Sequence, residues 1–402
     1  IYSVSLLEAK TEISEYTPAA KLPEVTSASQ TTPRPKRVAE LDGLRAFAIL
    51  PVILYHCYPR QGWFRWIGFA GEAGWIGVDL FFVLSGYLIT GILLGTVDRP
   101  HYYRNFITRR TLRIFPLYYL CLVLFTVATK LSGSGPWEAM QDWGGVGWFV
   151  VYLGNIRVAW TGQYPPIFSF IPLWSLQVEE QFYLLYPLVI WLLARHNLRR
   201  FLVGCVVAAP VLRTCLLLFV PDSGTACHVL TPCRMDALAL GGLVAIIARL
   251  PSRLQPSYAK LRLAAAIGGV IALGTYVFAQ SGFLGTSKDL FMNSIAGSLI
   301  DIPCAALLAF VVLGPSSTLV RILRWRMLVY TGQIAYGLYL LHGPASWLAR
   351  TLFRLITGIV VPGHSAAAIP LTFLASFVAA GLSWRYFESP ILGLKDRFTI
   401  RG

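Results

Sequence analysis

The sequence has few charged residues: Asp, Glu, Lys and Arg make up 13% of its 402 residues, whereas soluble domains carry about 25%. Hydrophobic residues make up 56%, and the mean hydropathy is +0.61. This balance excludes a water-soluble globular protein. Aromatic residues reach 13%, including 12 Trp, which is typical of side-chain belts at the two surfaces of a membrane.

Acidic residues are fewer than basic ones: the chain has 19 Asp and Glu, 34 Lys and Arg, and a net charge of +15. A basic surplus of this size also occurs in proteins that bind nucleic acid. Here, however, the basic residues fall in short blocks between apolar segments, as in the cytoplasmic loops of membrane proteins. We therefore expect a lipid bilayer as a partner and no nucleic acid.

Metal-binding and secretory patterns are also missing. The seven cysteines form no CxxC pair and no His/Cys metal spacing, so we expect no metal site. Cys227 and Cys233 share one short loop, and the sequence leaves open whether they form a disulfide. Residues 1–38 lack the apolar segment of a signal peptide. They are polar and predict a disordered cytoplasmic tail, with a short helix around Ile1–Tyr16 as the alternative.

Long apolar stretches, in contrast, are abundant. Ten of them approach the roughly 20 residues that a membrane-spanning helix needs. They lie at about 41–58, 75–95, 112–130, 173–194, 200–220, 235–250, 263–280, 293–314, 327–349 and 366–386. An eleventh, Val146–Ile156, is shorter and rich in glycine. We predict an all-α, polytopic membrane protein with one membrane domain over residues 39–390 and a short cytoplasmic tail at 391–402.

The basic blocks fix the topology, because positive loops stay in the cytoplasm. The block at 34–37 places the N-terminus inside. If Val146–Ile156 crossed the membrane, the later basic blocks would all lie outside; if it does not cross, they are cytoplasmic. These later blocks are at 195–200, 249–262 and 321–326. We therefore predict about ten spans in the cytoplasmic (inner) membrane, both termini in the cytoplasm, and a re-entrant or interfacial segment near 146–156.

Two residues that are energetically costly inside a membrane lie in the first predicted span. Arg45 and His56 are eleven residues apart, or about 16 Å along a helix axis. A charged residue at the bilayer centre costs about 2.5–3.5 kcal/mol on insertion scales, so such residues persist mainly where they face a cavity, a partner or a substrate. Histidine titrates near neutral pH and suits proton transfer. We therefore expect Arg45 to be a cation near the cytoplasmic side of this span and His56 to be a base near its outer side.

Other polar residues fall at the depth of this base. Four predicted spans place His56, Asp79, the pair Glu179 and Glu180, and His342 in the outer half. Because a nearby carboxylate stabilises an imidazolium and orients its ring, we expect Glu179 or Glu180 to orient His56. The alternative is that these residues only hold helices together, and Asp79 suits a helix cap equally well. A structural role is favoured for four further residues, namely Asp42, Arg213, Asp236 and Asp301.

A second polar group lies at the predicted cytoplasmic surface. Arg110 and Arg113 are spaced i, i+3 and share one helix face, and Arg109 and Arg45 are predicted to lie beside them. Guanidinium groups bind phosphates through two parallel hydrogen bonds. The sequence thus predicts a phosphate-binding pocket, with anchoring to anionic lipid headgroups as the alternative.

Several strings in the chain resemble the acyltransferase-3 family of membrane O-acyltransferases. They cover residues 39–390 in the family's order and read ELDGLRAFAILPVILYH, GWIGVDLFFVLSGYLITGIL, FITRRTLRIFPLYYL, LWSLQVEEQFYLLYP, RMDALALGGLVA, IAYGLYLLHGP and WRYFESP. The family's Arg–ten residues–His motif is matched by Arg45 and His56, and its Arg-x-x-Arg motif by Arg110 and Arg113. Some members append an extracytoplasmic hydrolase-like domain. This sequence contains none, so we expect the membrane domain to handle the acceptor.

The resemblance implies transfer of an acyl group, commonly acetyl from acetyl-CoA, to a hydroxyl of a carbohydrate, a lipid-linked glycan or a small molecule such as a macrolide. We expect acyl-CoA to be a substrate rather than a resident cofactor, with its phosphates on Arg110 and Arg113. His56 is expected to act as general base, a direct route that we prefer to an acyl-enzyme intermediate. The residues expected to contact substrate are His342, Trp174 and Tyr183. The rival class is a proton-coupled transporter, and the oligomeric state is left open.

Overall fold

The computed structural model describes residues 38–59, 71–131, 133–194, 197–280, 288–314 and 317–398. Within these ranges the chain is helical and contains no strand. The predicted N-terminal tail and the basic block at 34–37 lie outside the described residues. From Ala39 onward the chain belongs to one compact unit.

Ten helices of 13 residues or more occur in the described residues, and we number these α1–α10. They are α1 Ala39–Tyr55, α2 Ile76–Leu94, α3 Tyr102–Leu131, α4 Leu173–Leu193, α5 Leu198–Phe219, α6 Met235–Ile247, α7 Tyr258–Gln280, α8 Gly297–Leu313, α9 Ala335–Thr357 and α10 Ala368–Ser383. Shorter α-helical pieces are Ser134–Trp143, Gly147–Val150, Gly154–Thr161, Gly224–Val229, Lys288–Phe291, Thr318–Leu323, Arg326–Gln333, Ser389–Gly393 and Lys395–Phe398. Apolar sequence takes this form because a helix satisfies its own backbone hydrogen bonds where no water is available.

Six helical segments of the described chain are long and apolar enough to cross a membrane. They are Ala73–Leu94, Tyr102–Leu131, Leu198–Phe219, Tyr258–Phe278, Asp289–Leu313 and Ala368–Gly393. A multi-pass all-α protein is thereby confirmed, but the prediction of about ten spans is not. Helices α1 and α6 are short, at 17 and 13 residues, and α4 and α9 carry more polar side chains.

The segment around 146–156 does not form one spanning helix. It divides into the short helices Gly147–Val150 and Gly154–Thr161, and Tyr152 between them has a left-handed backbone with φ of 58°. Side chains of neighbouring helices satisfy the exposed backbone groups at this break. The donors are Tyr118 to the Phe149 carbonyl, Tyr119 to the Val150 carbonyl and Gln181 to the Tyr152 carbonyl, at 2.8–2.9 Å. Irregular backbone with such partners is compatible with membrane depth.

Helices α2 and α6 approach each other through glycine. A side chain at Gly86 would overlap the carbonyl oxygen of Leu238, and one at Gly241 would overlap the carbonyl oxygen of Val83. Small residues of this kind let two helix backbones pack closely within a membrane. The close approach places the polar residues of α2 against those at the start of α6.

A buried ionic cluster occupies this junction. Asp79 of α2 is fully buried and pairs with Arg234, which precedes α6. Arg213 of α5 pairs with Asp236 of α6 at 2.8 Å. Asp79 forms no side-chain cap at the start of α2. Of the two structural roles expected for it, a helix cap or a contact between helices, the ion pair shows the second. The structural contacts expected for Arg213 and Asp236 are observed, whereas both carboxylate oxygens of Asp301 are buried without a hydrogen-bond partner among the described residues.

We expect Arg234→Ala to lower the free energy of unfolding by about 3–5 kcal/mol, because it leaves the Asp79 carboxylate buried without its partner. Unfolding of the purified protein in detergent micelles measures this loss. Replacing both partners, as in Asp79→Leu with Arg234→Met, should recover most of it, since no lone charge remains.

The matched control is Arg324→Ala, which removes the exposed pair between Arg324 and Glu40. Exposed pairs contribute little to stability, so this variant should unfold like the unaltered protein. An Arg234→Ala variant as stable as Arg324→Ala would contradict the prediction.

Candidate functional site

A pocket opens between α2, α3, α4 and α9. It contains about 890 Å³ of empty space, counting the part open to solvent. Its polar lining combines cations, carboxylates and hydroxyls. These residues are Arg45, Ser85, Arg110, Arg113, Ser175, Glu179, Glu180, Tyr183, Tyr336 and Tyr339.

Three arginines predicted to lie together line this one pocket. Arg45 pairs with Asp42 at 2.6 Å. The Arg110 guanidinium lies over the Tyr183 ring, 5.4 Å from its centroid. Among the described residues, neither Arg110 nor Arg113 forms an ion pair with a carboxylate within 4.0 Å. Two guanidinium groups therefore remain able to bind an anion in the pocket.

The two carboxylates of α4 belong to the same pocket. Glu179 accepts hydrogen bonds from Ser85 at 2.6 Å and from Tyr183 at 2.9 Å. In Glu180, the oxygen Oε1 is buried and has no hydrogen-bond partner among the described residues. The expectation that one of these carboxylates orients His56 is not met, because α4 turns Glu179 toward Ser85 of α2.

The residue in contact with His56 is His342 of α9. The His342 Nε2 atom lies 3.2 Å from His56 Nδ1, and the ring centroids are 4.8 Å apart. His342 is almost fully buried, whereas His56 is only partly so. The sequence placed both residues at one depth but did not identify them as partners.

The hydrogen bonds of this pair determine where its protons lie. His342 Nδ1 faces the carbonyl oxygens of Tyr339 at 2.8 Å and Leu338 at 3.2 Å, and a carbonyl only accepts, so Nδ1 carries the proton. Neutral His342 then has an accepting lone pair on Nε2. His56 Nδ1 faces this nitrogen and the Val52 carbonyl at 2.9 Å, so it also donates. The lone pair of His56 is therefore on Nε2, where it can accept a proton.

Tyr339 lies between the pocket and the histidine pair. It lines the pocket, and its ring centroid is 6.3 Å from that of His342. Its hydroxyl is 2.6 Å from the Ser175 hydroxyl and donates to the Pro172 carbonyl at 3.0 Å. Phe168 packs on the other side of the pair, 5.3 Å from His56 between ring centroids. A molecule that extends from the arginines toward His56 passes Tyr339.

Three predicted site residues lie elsewhere. Arg109 is exposed and is absent from the pocket lining. Asp79 is engaged by Arg234, as described above. Trp174 packs against the His228 ring at 4.6 Å between centroids, outside the pocket lining. Burial lowers the pKa of His228 to about 4, so this contact at pH 7 joins two neutral rings.

Two residues of the site were missed by sequence reasoning. Ser85 is one of them, and its hydroxyl donates to Glu179. Tyr339 is the other. It precedes His342 by three residues, and residues at this spacing share one helix face, which could have identified Tyr339 as a neighbour of His342. The disulfide left open by the sequence is not formed, since Cys227 and Cys233 are free, buried thiols.

Comparison with known proteins identifies one matching family and several relatives. The model of the acyltransferase-3 family, described as an acyltransferase domain, matches residues 38–384. The chain is 30% identical over 377 residues to YrhL of Bacillus subtilis, provisionally named a peptidoglycan O-acetyltransferase, covering 87% of this chain and 54% of the relative. It is 28% identical to the O-acetyltransferase OatA of Staphylococcus aureus, covering 89% and 57%.

The peptidoglycan O-acetyltransferase OatA of Listeria monocytogenes is also 28% identical, with 89% and 56% covered. The chain thus spans little more than half the length of these relatives. No solved structure matches it significantly.

We expect nitrogen NMR of the histidine-labelled protein at neutral pH to place the ring proton of His56 on Nδ1 and a lone pair on Nε2. A coupling between His56 Nδ1–H and His342 Nε2 should be visible, because the hydrogen bond joins these nitrogens. The variant His342→Phe should lose this coupling, while His228→Phe should retain it. A proton on Nε2 of His56 in the unaltered protein would contradict the assignment.

Proposed function

This chain belongs to the acyltransferase-3 family, and from that premise we propose that it is a membrane O-acyltransferase. It moves an acyl group, acetyl in the simplest case, from cytoplasmic acyl-CoA to a hydroxyl of a carbohydrate or glycolipid. The observation that carries the proposal is the His56–His342 hydrogen bond, which leaves an accepting lone pair on His56 Nε2. The names of the relatives point to a glycan acceptor.

The arginine-lined pocket is the proposed site of the donor. Coenzyme A carries several phosphates, and the guanidinium groups of Arg110 and Arg113 match their geometry. Arg45 adds positive charge to the same lining but is partly neutralised by Asp42. With its phosphates held here, the donor extends past Tyr339, so that its thioester reaches the histidine pair.

His56 is the proposed general base. Its Nε2 takes the proton of the acceptor hydroxyl while the oxygen attacks the thioester carbonyl carbon, and the carbon–sulfur bond then breaks. The CoA sulfur leaves and recovers the proton from His56. His342 is a positioning residue, because it accepts from His56 Nδ1–H in both the neutral and the protonated state of His56. General base catalysis of this kind typically contributes about 10²–10⁴-fold.

We further propose that α1, α4, α6 and α9 cross the membrane together with the six long apolar segments. These four helices are polar or short but pack within the same bundle. Ten spans place both termini in the cytoplasm of a cell whose cytoplasmic membrane holds the protein. The arginine end of the pocket then faces acyl-CoA, and His56 faces the outer half of the membrane.

We expect His56→Ala to lower kcat for acyl transfer by about 10²–10⁴-fold, because the acceptor hydroxyl loses its base. Thiol release from acetyl-CoA in the presence of acceptor measures the rate, and calorimetry measures donor binding. The dissociation constant for acetyl-CoA should remain unchanged. Normal turnover by His56→Ala would refute the mechanism.

We expect Arg113→Ala to weaken acetyl-CoA binding by about 10- to 100-fold, since a hydrogen bond to a charged group contributes about 1.5–3 kcal/mol. Arg109→Ala is the matched control, because Arg109 lies on the same helix but outside the pocket lining. The control should bind acetyl-CoA normally. Equal losses in both variants would point to general attraction by surface charge rather than to a phosphate site.

A further inference from the structure

Arg350 is a cation that forms no ion pair with a carboxylate among the described residues. It lies on α9 and is partly buried. Its Nε atom is fully buried and lacks a hydrogen-bond partner among the described residues. A buried N–H group that lacks a hydrogen-bond partner is costly unless a ligand supplies one.

The position of Arg350 relates it to the histidine pair. It is eight residues beyond His342 on one helix, or about 12 Å along the axis, on the side away from the arginine-lined pocket. Ser346, midway between them at i+4 spacing, bonds to Thr372 of α10 at 2.7 Å. Trp347 and Leu348, in contrast, are exposed on the outer face of α9. Arg350 thus lies on the side of α9 that packs against the rest of the protein.

The loop after α9 lies close to the guanidinium of Arg350. A Cβ added at Gly363 would lie 3.0 Å from Arg350 Nη1, so the loop backbone lies close to the guanidinium. The next residue, His364, has its Nδ1 3.2 Å from the carbonyl oxygen of Tyr58, two residues beyond His56. Arg350 also acts electrostatically on Cys57, the immediate neighbour of His56. The loop therefore joins Arg350 to the outer surroundings of the base.

We propose that Arg350 binds an anionic group on the acceptor, so that the glycan that receives the acyl group carries a carboxylate or phosphate near the modified hydroxyl. This inference rests on the proposed function and specifies its substrate class. A planar guanidinium donates paired hydrogen bonds to either anion. The anion is either a carboxylate on a sugar ring or a phosphate linked to the glycan, and the test separates these two sources.

The experiment uses the purified full chain with acetyl-CoA and three acceptors of equal length. The first is a neutral tetramer of N-acetylglucosamine. The second is the alternating tetramer with N-acetylmuramic acid, which adds lactyl carboxylates. The third is the neutral tetramer with a phosphate at its reducing end. Arg354→Gln is the matched control for Arg350→Gln, because Arg354 lies one turn further along α9 and is exposed.

We expect Arg350→Gln to raise KM for one anionic acceptor by about 10- to 100-fold. The KM values for the neutral tetramer and for acetyl-CoA should not change, and Arg350→Lys should restore part of the loss. The anionic acceptor that is affected identifies the source of the charge. Arg354→Gln should behave like the unaltered protein with all three acceptors.

Equal effects of Arg350→Gln on neutral and anionic acceptors would overturn the inference, since a structural role predicts this result. No effect on either anionic acceptor would overturn it as well. In both cases the unaltered protein still transfers acetyl groups, so the proposed function stands. Absence of transfer to all three glycans by the unaltered protein would refute the proposed glycan acceptor itself, and the inference with it.

Discussion

The cost of burying polar groups inside an apolar helical bundle governs where the functional residues of this protein lie. A charged or hydrogen-bonding group there needs a partner close to it. Asp79 meets Arg234, and Glu179 accepts from Ser85 and Tyr183. Because the contacts of Asp79 and the Ser85–Glu179 bond join separate segments of the chain, the interactions that satisfy the polar groups also fix the helices around the pocket. Stability and site geometry here depend on the same bonds.

Depth in the bundle could be predicted only in part, because His56 and His342 meet as expected but Glu179 and Glu180 lie in the arginine-lined pocket, and rotation about the helix axes could not be predicted. Arg45, Arg110 and Arg113 were expected in one pocket, and all three line it, because local spacing and the positive-inside rule place them at one end. Glu179 was expected beside His56 on depth alone. A helix position can face any direction, however, and the facing side depends on tertiary contacts such as the bond to Ser85. A single sequence holds no record of that contact.

Hydropathy detects only some of the helices that bear the site, because α2 and α3 are among the six long apolar segments whereas α1, α4 and α9 are not. In the apolar segments Leu198–Phe219 and Tyr258–Phe278, only 22% and 17% of the most apolar stretch is buried within the protein. Their sequences are therefore typical of lipid-facing helices. In contrast, α1 and α4 carry Arg45, Glu179 and Glu180 of the pocket, and most residues of the first half of α4 are buried. A helix enclosed by others can hold polar side chains, provided that each finds a partner. Hydropathy therefore identifies α2 and α3, which carry Ser85, Arg110 and Arg113, but misses α1, α4 and α9.

Helix α9 orders the successive parts of the proposed reaction. Tyr339 lines the donor pocket, His342 follows one turn later, and Arg350 lies about 12 Å beyond His342. Donor and acceptor thus approach the histidine pair from opposite ends of a single element. In the proposed reaction the helix backbone sets the separation of His342 and Arg350, and the long Arg350 side chain adjusts the position of its guanidinium within that limit. An anion bound at Arg350 would therefore favour those hydroxyls of a sugar that lie within this range of His56.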